Sequence, residues 1–423
     1  MPPSTEMPSA RFPGGRVVAG GFLILTTSAG FGFYGLAVYL NALSRERGWE
    51  VSSLSLATTV YFLVAGLAGL YVARLIARHD IRRVILAGGV MGGASLALLG
   101  RVSEPWHLFV VYSLYAIGFA AAGLVPVTTV VTRWYHRRRA MAISVASTGL
   151  SFGGVVVTPA VKWFIDETDL ASAAPWLGLL FMLGTVIPGW FMVRPDPESS
   201  GFHPDGEPRA LDAPVTVLSG TDYLTARRSR FFIAVTLGYV LALGAQVGGI
   251  QQLVRLAEER TDAATAAFAT LALALTSIVA RLVGGRVFPR FPLARVITVL
   301  AVAQMFALAA IGLSHSVLAL FTSIVVFGAT VGNILMLQPL LIAERFGVRE
   351  YPRLFARSQF IGIFGTAGGP WLLGWLYDHA GGYDTAYVVA GLMSLAGALC
   401  FAIGGPAEDD RDHGRASDEA IAD

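Results

Sequence analysis

Twelve predominantly apolar runs follow one another along the chain, at roughly 17–43, 51–76, 84–100, 106–132, 140–165, 173–193, 231–256, 264–288, 293–312, 316–343, 355–377 and 384–404. A helix needs about 20 mostly apolar residues to cross the hydrocarbon core of a bilayer. The runs therefore predict twelve membrane helices and an all-α fold. The longest polar stretch, 194–230, is rich in Pro, Asp, Glu and Arg and separates six runs from six. The expected organisation is a tail at 1–16, a six-helix half at 17–193, a central loop at 194–230, a second half at 231–404 and a disordered tail at 405–423.

Composition agrees with this reading. The chain is 55% hydrophobic and 14% charged, against about 25% charged in an average soluble domain. A net charge of +3, with no basic stripe carrying interleaved aromatics, gives no support to nucleic-acid binding. The single cysteine, Cys400, excludes an internal disulfide and a Cys-based metal site. No ATP-binding signature, HExxH or Cys/His cluster is present, so neither a cofactor nor a metal is expected. The Pro/Ser/Gly-rich start does not read as a signal peptide. Lys162 is the sole lysine among 31 basic residues, which with abundant Ala and Gly points to a GC-rich, bacterial genome.

Orientation follows from Lys and Arg, which concentrate in cytoplasmic loops. With the N-terminus inside, 24 basic residues fall on the cytoplasmic side. Six fall outside: Arg45, Arg47, Arg101, Lys162, Arg255 and Arg260. Arg281 completes the count from within a span. The asymmetry predicts that both termini are cytoplasmic and that the protein lies in the cytoplasmic membrane. Arg137, Arg138 and Arg139, with Arg82 and Arg83, read as topology determinants facing anionic lipid. Trp49, Trp106, Trp134 and Trp163 sit at span ends and read as interfacial belt residues.

Repeated halves are a common transporter construction. GLYVARLIARHDIRRV (69–84) aligns without gaps on RLVGGRVFPRFPLARV (281–296), pairing Arg78 with Arg290 and Arg83 with Arg295. A looser pair sets Gly149, Gly153, Gly154 and Pro159 against Gly365, Gly368, Gly369 and Pro370. In the first alignment Arg281 falls opposite Gly69, so this charge breaks the pseudo-symmetry.

Twelve spans, a six-plus-six division and basic loops after spans 2 and 8 resemble the major facilitator superfamily. Three segments resemble its monocarboxylate transporter and oxalate/formate antiporter branch: GLAVYLNALSRERGWEVSSLSLATT (35–59), RWYHRRRAMAISVASTGLSFGG (133–154) and PESSGFHPDGEP (197–208). SIVARLVGG extends the match into span 8. The resemblance implies two pseudo-symmetric six-helix halves and transport of a small organic anion. There are departures. The family loop after span 2 normally carries Gly, Asp and Gly where this chain has Ala73, Ala77 and Asp80, and its C-half copy has Gly285, Pro289 and Pro292. Mammalian-type members carry an Asp one turn before the span-8 Arg, where Ser277 stands, and a Lys in span 1, which is absent. Dicarboxylate antiporters carry a second cation in span 11, also absent.

Arg281 is the leading site residue. A charge at the centre of a span costs about 2.5–3.5 kcal/mol on insertion scales, so something offsets it. The functional reading is an anion clamp, because guanidinium fits a carboxylate bidentately. The structural readings are an arginine held by carbonyls, or one snorkelling to the cytoplasmic face. One cation suits one negative charge, which favours a monocarboxylate. Tyr34, Tyr61, Tyr115, Gln246 and Asn333 lie near mid-span and are expected to complete the cavity. Each can donate a hydrogen bond, although an interhelical bond is the plainer alternative for any one of them. A proton is the expected co-substrate of an electroneutral scheme, but no intramembrane carboxylate or His stands out to carry it. The competing readings are a drug or hydrophobic-compound exporter of the same superfamily and, behind it, a membrane sensor on a transporter-like scaffold. The exporter would want an acidic membrane residue for cationic drugs. The sensor would want an added soluble domain, for which 194–230 and the C-terminal tail are too short.

Overall fold

The computed structural model describes residues 12–49, 51–206, 218–380 and 382–405. Twelve long helices cross in sequence: α1 (Gly14–Arg47), α2 (Val51–Arg78), α3 (Ile81–Arg101), α4 (Pro105–Trp134), α5 (Arg139–Glu167), α6 (Leu170–Phe191), α7 (Arg230–Arg260), α8 (Ala263–Val287), α9 (Leu293–Leu313), α10 (Val317–Phe346), α11 (Tyr351–His379) and α12 (Tyr383–Gly404). Eleven are apolar enough by composition alone to span a membrane. The other, α11, is as long, but Arg353, Arg357, Ser358 and Gln359 occupy its first turns and five glycines dilute the rest. Among the described residues an isolated bridge joins Gly220 to Gly347. The architecture is the all-α, twelve-helix membrane fold that the apolar pattern predicts.

The two halves repeat their packing. In the first, α1 packs on α5, α2 on α4, and α3 on both α4 and α6. In the second, α7 packs on α11, α8 on α10, and α9 on both α10 and α12. The halves meet through α5 with α8 and α2 with α11, and these two contacts exchange under the same repeat. Arginines at equivalent places seal the far ends. Arg47, ending α1, donates to the Gly100 carbonyl closing α3 at 3.5 Å. Arg260, ending α7, donates to the Gly312 carbonyl closing α9 at 2.6 Å. Glycines let α7 and α11 touch main chain to main chain: a Cβ on Gly365 or Gly369 would overlap the carbonyls of Val240 or Gly244. The glycine pairs found in the sequence thus serve close helix approach.

Helix starts are set by side-chain caps. Asp80 accepts from the Arg82 amide at 2.8 Å to begin α3, and Asp169, Ser229, Asp262 and Ser316 cap α6, α7, α8 and α10 in the same way. Asp80 occupies a position where the family pattern has glycine, and its carboxylate also lies in the field of Arg133 on α4. Trp134 corrects an expectation. It is fully buried, its Nε1 donates to the Arg194 carbonyl at 3.0 Å, and its ring packs on Phe12. It is a core residue, whereas Trp106 and Trp163 are exposed as interfacial residues should be.

The described parts of the central segment are docked on equivalent loops of the two halves. Asp205, at φ 65°, accepts from the amides of His136, Arg137 and Arg138 between α4 and α5. Ser219 and Thr221 hydrogen-bond to Val348, Arg349 and Phe346 around the start of the α10–α11 loop. The tail beyond 405 lies outside the described residues.

Candidate functional site

Arg281 lies on α8 about a turn and a half before the helix ends, and it is 1% exposed. Its Nε donates to the Gly332 carbonyl on α10 at 2.7 Å, and its Nη1 donates to the Ser147 carbonyl on α5. The Ser144 hydroxyl on α5 donates in turn to the main-chain carbonyl of Arg281. The guanidinium therefore bridges the two halves and is turned inward, which excludes snorkelling. Two of its five N–H donors are held by carbonyls, as one of the structural readings expects. Among the described residues the guanidinium has no carboxylate partner.

Tyr34 on α1 lies within the electrostatic reach of this charge. It is 39% exposed at the middle of its helix. Its placement comes from an irregularity. Gly30–Tyr34 forms a π turn within α1, and Gly153–Val157 forms another within α5. The two turns pack directly: Gly30 lies against Val157 and Gly153, Gly154 lies under the Tyr34 ring, and Thr158 Oγ1 donates to the Gly30 carbonyl at 3.3 Å. Single π turns inside α-helices are frequent at functional sites. The matching helices α7 and α11 are uninterrupted, so the repeat is broken here, as it is at Arg281. Pro159 follows the α5 turn, Pro126 follows a break at Ala122–Gly123, and Pro339 and Pro370 lie within continuous helices.

The other expected residues divide. Asn333 adjoins Gly332 and donates to the carbonyls of Ala280 at 3.1 Å and Ala329 at 2.9 Å. It thereby joins α8 to α10 beside Arg281. Gln246 on α7 is buried, and its Oε1 has no hydrogen-bond partner among the described residues. Tyr61 and Tyr115 meet each other, with ring centroids 5.5 Å apart, in a fully buried group with Tyr39 and Tyr112. Among the described residues the four hydroxyls have no hydrogen-bond partner, and that of Tyr61 lies against Gly32 in the α1 π turn. This group backs the π turn from within the first half and is separate from the Arg281 centre. Sequence reasoning missed Ser144, Ser147 and Gly332, two of which act through main-chain carbonyls. Ser144 sits inside a segment quoted for its family likeness but carries no chemical signal of its own.

Two pseudo-symmetric six-helix halves meeting at a buried arginine have the architecture of a membrane solute carrier. The sequence matches the Major Facilitator Superfamily over residues 22–259 and 232–420. The chain belongs to that superfamily. It is 25% identical over 394 residues to the human protein Monocarboxylate transporter 11, spanning 89% of this chain and 78% of that one. A shorter stretch of 168 residues is 27% identical to the MFS-type transporter hasB of Aspergillus fumigatus, covering 38% of this chain and 36% of that one. The fold superposes on FucP, a Major Facilitator Superfamily transporter in the outward conformation, with a TM-score of 0.72 and 14% identity over 94% of this chain and all of that one. The protein is thus a multi-pass membrane transporter resembling the monocarboxylate branch of its superfamily.

Proposed function

We propose that the protein is a secondary active transporter that carries a small monocarboxylate across the cytoplasmic membrane of a bacterium, both termini inside, by alternating access of one central site. The observation that carries this reading is Arg281: a single buried cation at the junction of the halves, held by neutral carbonyls and within electrostatic reach of Tyr34. A carboxylate is a stronger acceptor for guanidinium than a carbonyl, because the bond is charge-assisted. One cation leaves one negative charge compensated and a second one unpaired in low dielectric. The likeness to monocarboxylate transporters supports the same class.

The contacts between halves run from mid-membrane to the face that bears the termini. Gly285 lies on Ser144 and Ala140, Gly66 on Phe360 and Ile363, and Tyr351 faces Thr128 and Thr132. With the termini inside, this is the outward-facing state. Symport with a proton makes transfer of a monoanion electroneutral. Every described Asp and Glu on the twelve helices lies within two residues of a helix end, so the proton would travel without a mid-span carboxylate.

The test is uptake and binding of a panel of small monocarboxylates by reconstituted protein, with and without an imposed pH gradient. Wild type is compared with Arg281→Ala and Arg281→Lys. An acid bound by wild type and lost by both variants supports the clamp. Retention by the alanine variant, or no acid bound at all, sinks it. Indifference to the gradient removes symport and leaves exchange.

A further inference from the structure

The α5–α8 contact is the place where the site and the seam between the halves are the same atoms. Two hydrogen bonds cross it within one helical turn: Ser144 Oγ to the Arg281 carbonyl, and Arg281 Nη1 to the Ser147 carbonyl. Ser144 and Ser147 are one turn apart on α5, and both are buried. Gly285, one turn beyond Arg281, has no side chain and lets Ser144 come against α8; a Cβ there would overlap Ser144. At the pseudo-equivalent contact of α2 with α11, Gly69 replaces the arginine and has open space at its Cβ position. An arginine tie at this place in the repeat therefore belongs to one of the two seams.

We propose that Ser144 and the Ser147 carbonyl are positioning groups that latch Arg281 to the opposite half, and that an arriving carboxylate releases the latch by taking the guanidinium from Ser147. The second clause rests on Arg281 being the anion-binding group; the first does not. The physical ground is competition for donors. A buried guanidinium without an anion must satisfy its N–H groups on whatever acceptors are present, and here one of these is the main chain of the other half. An anion offers a charged acceptor instead, so the tie to α5 weakens at the moment the site is filled. The seam then opens toward the face bearing the termini, with Gly332 still holding Nε within α8's own half. Occupancy and opening become linked without any added domain, and an empty site stays latched.

The experiment measures the separation of the halves on the face bearing the termini. Arg83→Cys in the first turn of α3 and Arg290→Cys in the α8–α9 loop, both exposed, carry spin labels in full-length protein whose Cys400 is replaced by Ser. Distances are recorded in nanodiscs, with and without saturating acid from the panel, and binding is measured on the same samples. In acid-free protein, Ser144→Ala is expected to raise the open-to-closed ratio about 2- to 10-fold, the worth of one hydrogen bond. Gly285→Ala, whose added methyl presses on the Ser144 side chain and wedges the seam, is expected to act in the same direction. Acid is expected to open wild type, and the Ser144→Ala variant is expected to bind it several-fold more tightly because less of the protein is held closed. If both variants leave the acid-free distances unchanged, the latch is overturned. If acid binds and the distances stay closed, the release step is overturned. If the variants open the seam but no acid binds wild type, the latch stands and the monocarboxylate reading fails.

Discussion

The Nε of Arg281 donates to the carbonyl of Gly332 at 2.7 Å, and Gly332 is itself pressed against the carbonyl of Ser277, one turn before Arg281. The α8–α10 packing and the aim of the guanidinium are therefore set at one glycine. Replacing Gly332 with Ala puts a methyl group on the Ser277 carbonyl. Overpacking of this kind destabilises by roughly 1–3 kcal/mol, and here it also turns the arginine. Gly328→Ala, one turn away against the Leu273 carbonyl, is the control. Both variants should melt earlier, but only Gly332→Ala should also weaken acid binding. Equal affinities would disconnect Gly332 from the site.

Tyr34 and Tyr61 should respond oppositely to loss of the hydroxyl. Tyr34 lies within the electrostatic reach of Arg281, so Tyr34→Phe is expected to lower acid affinity about 2- to 10-fold, the net worth of one hydrogen bond. The Tyr61 hydroxyl is buried without a partner among the described residues. Its removal relieves a desolvated group, so Tyr61→Phe is expected to keep affinity and to melt at the same temperature as wild type or higher. Thermal melts beside binding isotherms check both.

Arg260 anchors the far end of the second half. It donates to the carbonyls of Ile311, Gly312 and Ser314 and to Asp384, at 2.6–2.7 Å. Arg260→Ala leaves three main-chain acceptors unanswered at a helix end, a loss on the order of 3 kcal/mol. Asp384→Asn should lose far less, because that carboxylate is half exposed and the carbonyls keep their arginine. Chemical denaturation of the pair gives the comparison.

At Asp205 the carboxylate and the backbone can be separated. Its φ of 65° suits glycine, while its oxygens hold three amides of the α4–α5 loop. Asp205→Ala loses the acceptor and keeps the strain. Asp205→Gly loses the acceptor and sheds a strain of about 1–2 kcal/mol. The expected order of melting temperature is wild type, glycine, alanine. An alanine variant as stable as wild type would remove the docking role.

Asp169 gives a pH dependence whose sign is set. Bonds from the Ser172 amide and hydroxyl hold its carboxyl below the usual aspartate value. Its cap on α6 is fully present above the ordinary aspartate pKa and is lost as pH falls through the lowered value. The melting temperatures of wild type and Asp169→Ala should therefore differ at neutral pH and converge in acid.

The twelve apolar runs, the six-plus-six division and the lone arginine of α8 were legible in the chain, because crossing a bilayer requires some twenty apolar residues and makes any charge among them conspicuous. The repeat was legible too, as the Arg78/Arg290 and Arg83/Arg295 pairs. What Arg281 touches was not. Its acceptors are the carbonyls of Gly332 and Ser147, and every residue has a carbonyl, so only the approach of α5 and α10 selects these two. The π turns at Gly30–Tyr34 and Gly153–Val157 were equally hidden, since glycines permit such a turn without requiring it. Tyr61, Tyr115 and Trp134 show the same division. Sequence places an aromatic residue along a span, but which way it faces depends on the helix packed beside it, and that neighbour lies tens of residues away in the chain.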